Sequence, residues 1–187
     1  MKKKHLIFGT ISLSVLISVL LSLNLAQSQG DRVQRGKYLV DTIGACGTCH
    51  TPRKGAEFDM SMYLAGHPAN QPHPKYNFSM MQQGIFMLTS PQLTAFSGPF
   101  GTAFAANLTP DKETGLGDWT EQMFIATMKT GIHQGVAGNR KILPPMPTKS
   151  YANISDEDLK TIWAYLQSIK PIKNEVPPAL NHRGRPF

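Results

Sequence analysis

The pattern of apolar and polar residues predicts three amphipathic helices. The first covers residues 31–43, ahead of a glycine. The second begins at Thr120, a favourable N-cap residue, and ends at Gly131. The third begins at Ser155, with acidic residues in its first turn, and stops at Pro171. The residues expected to face inward are, in chain order, Val33, Tyr38, Leu39, Ile43, Met123, Phe124, Thr127, Met128, Leu159, Ile162, Trp163, Leu166 and Ile169.

The long stretch between the first two helices has a different pattern. Residues 54–84 are rich in proline and glycine, which predicts loop. Residues 85–106 combine β-favouring side chains with turn signals and predict a small hairpin. Residues 171–187 are expected to form an extended, mobile tail. The fold class is therefore mainly α, with a β-like hairpin insertion.

The N-terminus has the pattern of an export signal. Lys2, Lys3 and Lys4 precede an apolar run over residues 6–25, and small residues follow it. We expect residues 1–28 to be a signal peptide, residues 29–170 one domain and residues 171–187 a basic tail. The apolar run is also long enough for an uncleaved membrane anchor. Both alternatives place the domain outside the cytoplasm.

The formal net charge of +7 is unevenly distributed. Three lysines belong to the predicted signal, and the tail from Lys170 onward carries a net three positive charges, so the globular part carries only about +1. Nucleic-acid binding would require a basic face on the fold itself, which this charge does not support. The concentration of charge in the tail favours docking of the tail on an acidic partner surface.

The chain contains two cysteines, and both lie in the segment Cys46-Gly47-Thr48-Cys49-His50. This spacing is the attachment signature of a c-type haem, with Cys46 and Cys49 forming thioethers and His50 binding the iron. A thioredoxin-like redox pair, a zinc site and a structural disulfide are the alternatives. Two cysteines permit one haem of this kind.

The second axial position on the iron decides the function, and Met146 is the best candidate for it. It stands in Leu143-Pro144-Pro145-Met146-Pro147, where the prolines stiffen the loop that would hold a weak thioether ligand. His133 is the alternative ligand. Arg140 precedes the loop and is a candidate partner for a haem propionate.

Two other metal sites are conceivable from composition. Thioethers suit Cu(I) and carboxylates suit Ca²⁺, but neither group of residues has a regular ligand spacing, so packing and a solvated turn are the favoured interpretations. The residues concerned are Met60, Met62, His67, His73, Met80 and Met81 for copper, and Asp111, Glu113 and Asp118 for calcium.

These motifs resemble those of class I cytochromes c, and in particular of monohaem periplasmic cytochromes and cytochrome subunits of bacterial alcohol, aldehyde and related dehydrogenases. The resemblance covers residues 31–174 and is carried by residues 35–39, 46–53, 104–111, 114–120, 143–147 and 164–166. It implies a cytochrome c fold, an α-helical shell around the haem in which Gly36 packs against residues 162–165.

The resulting hypothesis is a periplasmic one-electron carrier with one covalent haem c, ligated by His50 and Met146. Its partners would be a redox donor and acceptor, among them a membrane-associated dehydrogenase. The alternative is a haem enzyme with a displaceable sixth ligand, for peroxidase-like or small-substrate oxidation. Contact with the membrane is expected only if the N-terminal segment is uncleaved.

Overall fold

The computed structural model describes the backbone of residues 4–187 and the side chains of residues 15–187. Its α-helices are α1 (Lys4–Tyr38), α2 (Gly47–His50), α3 (Ser79–Gln82), α4 (Glu121–Thr130), α5 (Thr148–Tyr151) and α6 (Asp156–Ser168). A π-helical turn, Leu39–Ile43, continues α1, and 3₁₀ turns cover Met60–Met62 and His133–Gly135. The strands are β1 (Arg53–Lys54), β2 (Glu57–Phe58), β3 (Leu88–Thr89), β4 (Ala95–Gly98) and β5 (Gly101–Phe104).

The first predicted helix is part of a longer one. Helix α1 is continuous from Lys4 into the predicted domain, and residues 1–3 of the predicted basic segment lie outside the described residues. Among the residues whose side chains the structure describes, no helix is both long enough and apolar enough to cross a membrane.

Helices α1, α4 and α6 form the core, and α1 crosses α6 at Gly36. A Cβ placed on Gly36 would lie 1.9 Å from the Thr161 carbonyl oxygen and 2.8 Å from the Tyr165 Cβ. Only a glycine therefore permits this close approach, and the expected packing of Gly36 on the last helix is found. The Phe124 and Trp163 rings, 5.5 Å apart, join α4 to α6.

Two residues expected to face inward from the first helix do not. Tyr38 is 47% exposed and Ile43 is 63% exposed, whereas Leu39 and Val40 are buried. Tyr38 precedes the π-helical turn and lies two residues from the buried Gly36 and Val40, a spacing that puts it on the opposite side of the helix. The π-helical turn accounts for Ile43, because the Gly44 N–H donates to the Leu39 oxygen five residues back (2.7 Å) and shifts the buried face. The period of the apolar pattern cannot reveal such a shift.

Both predicted ends of α4 and the predicted start of α6 are confirmed. Thr120 Oγ1 accepts the Met123 N–H, and Ser155 Oγ accepts the Asp158 N–H, each at 3.1 Å. Gly131 adopts the left-handed conformation, with φ of 66°, and its N–H donates to the Thr127 oxygen. Local side-chain chemistry thus sets where α4 and α6 begin and where α4 ends.

The region between α2 and α4 is mostly irregular, and its predicted hairpin is present. Strands β4 and β5 pair antiparallel with Phe96 opposite Ala103, and β3 adds a third strand on the other side of β4. Strands β1 and β2 form a separate two-stranded ribbon. The architecture is therefore helix-rich with small sheets, which is compatible with a cytochrome c fold.

The C-terminal tail is extended, as expected, but it is bound to the fold rather than free. Thr102 and Leu180 exchange two backbone hydrogen bonds of 2.7 and 2.9 Å. Asn174 is buried; its Nδ2 donates to the Ala65 and His67 oxygens at 2.7 and 2.9 Å. Charge and proline content alone do not reveal these attachments.

Candidate haem site

The two cysteines and the histidine lie on one helical turn. Cys46 is the N-cap of α2, and its oxygen accepts the N–H groups of Cys49 and His50 at 3.3 and 2.9 Å. Residues three and four apart on such a turn project from the same side. The structure therefore brings together the two thiols and the imidazole that the sequence singled out.

The turn is held in place from its N-terminal side. The Cys46 N–H donates to the oxygen of Val40, which is fully buried, at 2.9 Å. Ala45, between the two segments, adopts a left-handed φ of 45° that a non-glycine residue rarely takes. The π-helical turn and this sharp bend together carry the chain from α1 into the motif.

The imidazole of His50 is buried and oriented. Its Nδ1 donates to the Ala106 carbonyl oxygen at 2.8 Å, and the residue is only 9% exposed. Its Nε2 makes no hydrogen bond within the described residues. Burial lowers the pKa of His50, which favours the neutral ring. Neutral imidazole with one nitrogen fixed and the other free is the form that binds a metal.

The other side of the motif is bonded to residues 54–106, between α2 and α4, here termed the insertion. The His50 oxygen accepts the Gly66 N–H at 2.8 Å, and Thr51 Oγ1 accepts the Leu64 N–H at 3.0 Å. Gly66 has a φ of 79°, and a Cβ there would lie 2.4 Å from the Ala105 oxygen. A glycine is required at this crossing, which brings the Ala106 carbonyl to His50.

The two thiols are half-buried and not bonded to each other. Burial raises the pKa of Cys46 to about 11 and also raises that of Cys49, so both are protonated at neutral pH. Among the described residues, no group of three or more His, Cys, Asp or Glu side chains could hold a metal. Neither the zinc alternative nor the disulfide alternative has support in this geometry.

The residues present fit a c-type haem. Two unpaired thiols and a free imidazole nitrogen stand on one turn, and the second imidazole nitrogen has a fixed backbone acceptor. This donor set suits two thioether bonds and one axial nitrogen ligand.

The loop that carries Met146 is anchored at both ends, and Met146 is half-buried. At its start, the Ile142 N–H donates to the Gly131 oxygen at the end of α4 (2.8 Å). At its end, the Tyr151 hydroxyl donates to the Gly44 oxygen (3.0 Å), two residues before the first cysteine. The loop is thus bound to the segment that leads into the haem motif.

The side chains of Arg140 and His133 lie in the preceding segment. Arg140 is exposed, and its guanidinium forms no salt bridge with any described residue. The His133 ring is half-buried against the edge of Trp119, with ring centroids 5.3 Å apart. Burial, and then the charge of Arg140, lower the pKa of His133.

Three of the residues considered for copper and calcium have other partners. His67 is fully buried, with Nδ1 2.9 Å from Thr94 Oγ1 and Nε2 donating to the Gln71 oxygen at 3.2 Å, so neither nitrogen is free. Asp111 accepts from the Thr114 N–H and hydroxyl, and Glu113 pairs with Lys173. These contacts are consistent with a turn at Asp111, whereas Met60 and Met81 are exposed, so the packing interpretation does not account for these two methionines.

Sequence reasoning missed two participants at this site. The Ala106 carbonyl orients His50, and a backbone acceptor has no sequence signal at all. The Tyr151 hydroxyl joins the methionine loop to Gly44 and lies near the position of Cys46 Sγ. Tyr151 follows Pro147 by four residues, which the sequence shows, but this position does not reveal that its hydroxyl bonds to Gly44.

The chain is similar to cytochrome c subunits of bacterial dehydrogenases, although no protein-family model matches it. It is 32% identical over 169 residues to the gluconate 2-dehydrogenase cytochrome c subunit of Pantoea cypripedii, a match that covers 89% of the chain and 28% of that protein. The fructose dehydrogenase cytochrome subunit of Gluconobacter japonicus is 27% identical over 148 residues, covering 79% and 23%. The expected resemblance to dehydrogenase cytochromes is therefore confirmed.

A shorter match has a higher identity. The chain is 40% identical over 83 residues to one of the nicotinate dehydrogenase subunits of Pseudomonas putida, which covers 44% of the chain and 7% of that protein. The chain thus spans less than a third of the length of each of these three relatives.

Proposed function

We propose that the chain transfers single electrons through one covalently attached haem, because its relatives include the cytochrome c subunits of bacterial dehydrogenases. The observation that carries this proposal is the orientation of His50. Its Nδ1 is fixed on the Ala106 oxygen, its Nε2 has no hydrogen-bond partner among the described residues, and two unpaired thiols stand on the same helical turn. In this role the protein is an electron-transfer protein and not itself an enzyme.

The chain's residues have separate roles in holding the group. Cys46 and Cys49 would add to the two vinyl groups and fix the haem to α2, and His50 Nε2 would bind the iron. The Ala106 carbonyl keeps the proton on Nδ1 and prevents rotation of the ring. The chain's two cysteines support a single haem.

Met146 is proposed as the second axial ligand and Arg140 as a contact of a haem propionate. The anchored methionine loop can present a thioether without a large ordering cost at each ligation event. The haem supplies a one-electron Fe(III)/Fe(II) couple, whose potential methionine ligation raises. With His50 and Met146 both bound to the group, the protein would have little to rearrange on electron transfer.

The proposed setting is outside the cytoplasm, on the periplasmic side, after export directed by residues 1–28. A membrane-associated dehydrogenase is the proposed electron donor, because three of the chain's relatives are subunits of dehydrogenases. Oxidation of the organic substrate would then belong to that partner.

The test is whether the exported protein carries covalent haem and exchanges one electron. Wild type should retain haem stain after denaturing electrophoresis, and the double substitution Cys46→Ala, Cys49→Ala should lose it. Thr48→Ala, an exposed position between the two cysteines, is the matched control and should keep the stain. A wild type without covalent haem would refute the proposal.

A second measurement separates the carrier from a haem enzyme. Redox titration of the purified protein should fit one one-electron step, and the reduced protein should bind CO slowly because Met146 occupies the sixth position. Rapid CO binding at neutral pH would instead favour a displaceable ligand and the enzyme alternative.

A further inference from the structure

An exposed apolar cluster lies in the insertion, among residues that have no proposed role in holding the haem. Five large apolar side chains within ten residues are 37–64% exposed. They are Phe78, Met81, Ile85, Phe86 and Met87. Scattered apolar side chains on a protein surface are ordinary, but a concentrated group of this kind marks an interaction surface.

The C-terminal tail packs beside this cluster. The Phe78 ring contacts the His182 ring at 6.2 Å between centroids. The Phe86 carbonyl lies at the β4–β5 turn, 3.0 Å from where a Cβ on Gly98 would stand. The other end of that turn, Gly101, is covered by the Leu180 carbonyl. The apolar cluster, the turn and the tail therefore form one continuous surface.

The charges on this surface are of one sign. Residues 60–110 and 176–187 contain no Asp or Glu. Lys75, Arg183 and Arg185 are exposed, and none of them forms a salt bridge with a described residue. Asn181 Oδ1 accepts the Arg183 and Arg185 N–H groups at 2.9 and 3.2 Å, which fixes the turn that presents both arginines.

Several polar groups beside the cluster are engaged within the chain, although the amides of Gln82 and Gln83 are exposed. The Tyr76 hydroxyl donates to the Ile85 oxygen at 2.9 Å, and Asn77 Oδ1 accepts from Ser79. The five apolar side chains have no hydrogen-bonding groups. A specific protein interface contains roughly one hydrogen bond per 100–200 Å². A lipid surface needs no such matching, since it responds to buried apolar side chains and to positive charge.

We propose that these five apolar residues together with Lys75, Arg183 and Arg185, here termed the insertion face, bind the surface of an anionic lipid bilayer. The apolar side chains would enter the boundary between headgroups and acyl chains, and the basic side chains would contact lipid phosphates. This contact does not depend on whether the N-terminal segment is cleaved, and it does not depend on the haem.

The test is hydrogen exchange of the full haem-loaded protein, as the cell matures it, in two lipid systems. The probes are bilayers of pure phosphatidylcholine and of phosphatidylcholine mixed with phosphatidylglycerol. If the protein purifies with an embedded N-terminus, nanodiscs of the same two compositions replace vesicles. Amides of residues 78–87 should become protected in the anionic bilayer and much less in the neutral one. Titration of lipid then gives the half-protecting concentration.

Variants decide whether the insertion face causes the protection. Phe86→Asp should raise the half-protecting lipid concentration by about tenfold or more, because burying a phenylalanine is strongly favourable. Arg183→Gln and Arg185→Gln should each raise it roughly fivefold. Met60→Asp is the matched control, since Met60 and Phe86 are both 64% exposed, and it should leave the concentration unchanged.

Each other outcome overturns the proposal. Absence of protection in the anionic bilayer, or protection that Phe86→Asp leaves intact, excludes lipid binding by this face. Protection that appears only on addition of a purified dehydrogenase would assign the face to a protein partner. The haem absorption spectrum of each variant verifies that the fold is retained.

Discussion

The helical shell, formed by α1, α4 and α6, and the insertion, residues 54–106, are held together by different forces. The shell buries apolar side chains such as Leu159 and Leu166 at a helix crossing. The insertion has little regular structure, and half of its buried side chains are polar. His67 and Thr94 are fully buried there and bonded to each other.

The difference shows how an irregular segment can be made rigid. Helices satisfy their own backbone groups, whereas buried loop backbone needs other partners. Here side chains supply them: Asn174 bonds Ala65, His67 and Ala69 of the insertion, from outside it. The shell is therefore expected to be sensitive to volume, and the insertion to loss of single hydrogen-bonding groups.

The largest effect is expected from Gly36→Val in the shell. The new Cβ would meet the Thr161 carbonyl at 1.9 Å, and backbone cannot move away cheaply. We expect the free energy of unfolding to fall by about 3 kcal/mol or more, measured by denaturant titration of the haem-loaded protein. Gln34→Val, at an exposed position of the same helix, should cost no more than about 1 kcal/mol. Equal effects of the two substitutions would contradict the close crossing.

The corresponding change in the insertion is Asn174→Ala. It leaves the Ala65 and His67 oxygens and the Ala69 N–H without their partner, at a cost of about 2–3 kcal/mol. Hydrogen exchange should accelerate first at residues 65–69, while the helical shell stays protected. Asn153→Ala, an exposed asparagine, should change stability by less than about 0.5 kcal/mol. Uniform loss of protection across both regions would remove the distinction between them.

The smallest effect concerns pH. Burial lowers the pKa of His67, so the unfolded chain binds a proton there at a higher pH than the folded chain does. The stability contributed by neutral His67 is complete when the pH is above the pKa of the unfolded state, about 6.5. It falls as the pH falls below that value. His67→Gln should reduce the slope of stability against pH by up to roughly 1.4 kcal/mol per pH unit. An unchanged slope between neutral and acidic pH would show that His67 does not carry this linkage.

The two regions also differ in how far sequence reasoning succeeds. Both ends of α4 and the start of α6 are predicted because local side-chain chemistry determines them, and the packing of Gly36 on α6 agrees with what the family resemblance implied. The exposure of Ile43 is missed, because a π-helical turn changes the phase of the pattern without changing its composition.

In the insertion and the tail, the decisive contacts join residues far apart in the chain. Asn174 lies more than 100 residues from Ala65, and no local rule pairs them. The same limit applies at the candidate site. The motif from Cys46 to His50 is local and readable, whereas the Ala106 carbonyl that orients His50 is 56 residues away.

The most direct test of the central proposal, a closed one-electron site ligated by His50 and Met146, is the absorption spectrum of the oxidised protein. We expect wild type to show the weak long-wavelength Fe(III)–sulfur band, and Met146→Ala to lose it and to have a lower reduction potential. Met128→Ala, which removes a methionine packed against the core, should keep the band. A band that survives unchanged in Met146→Ala would contradict the proposed ligation.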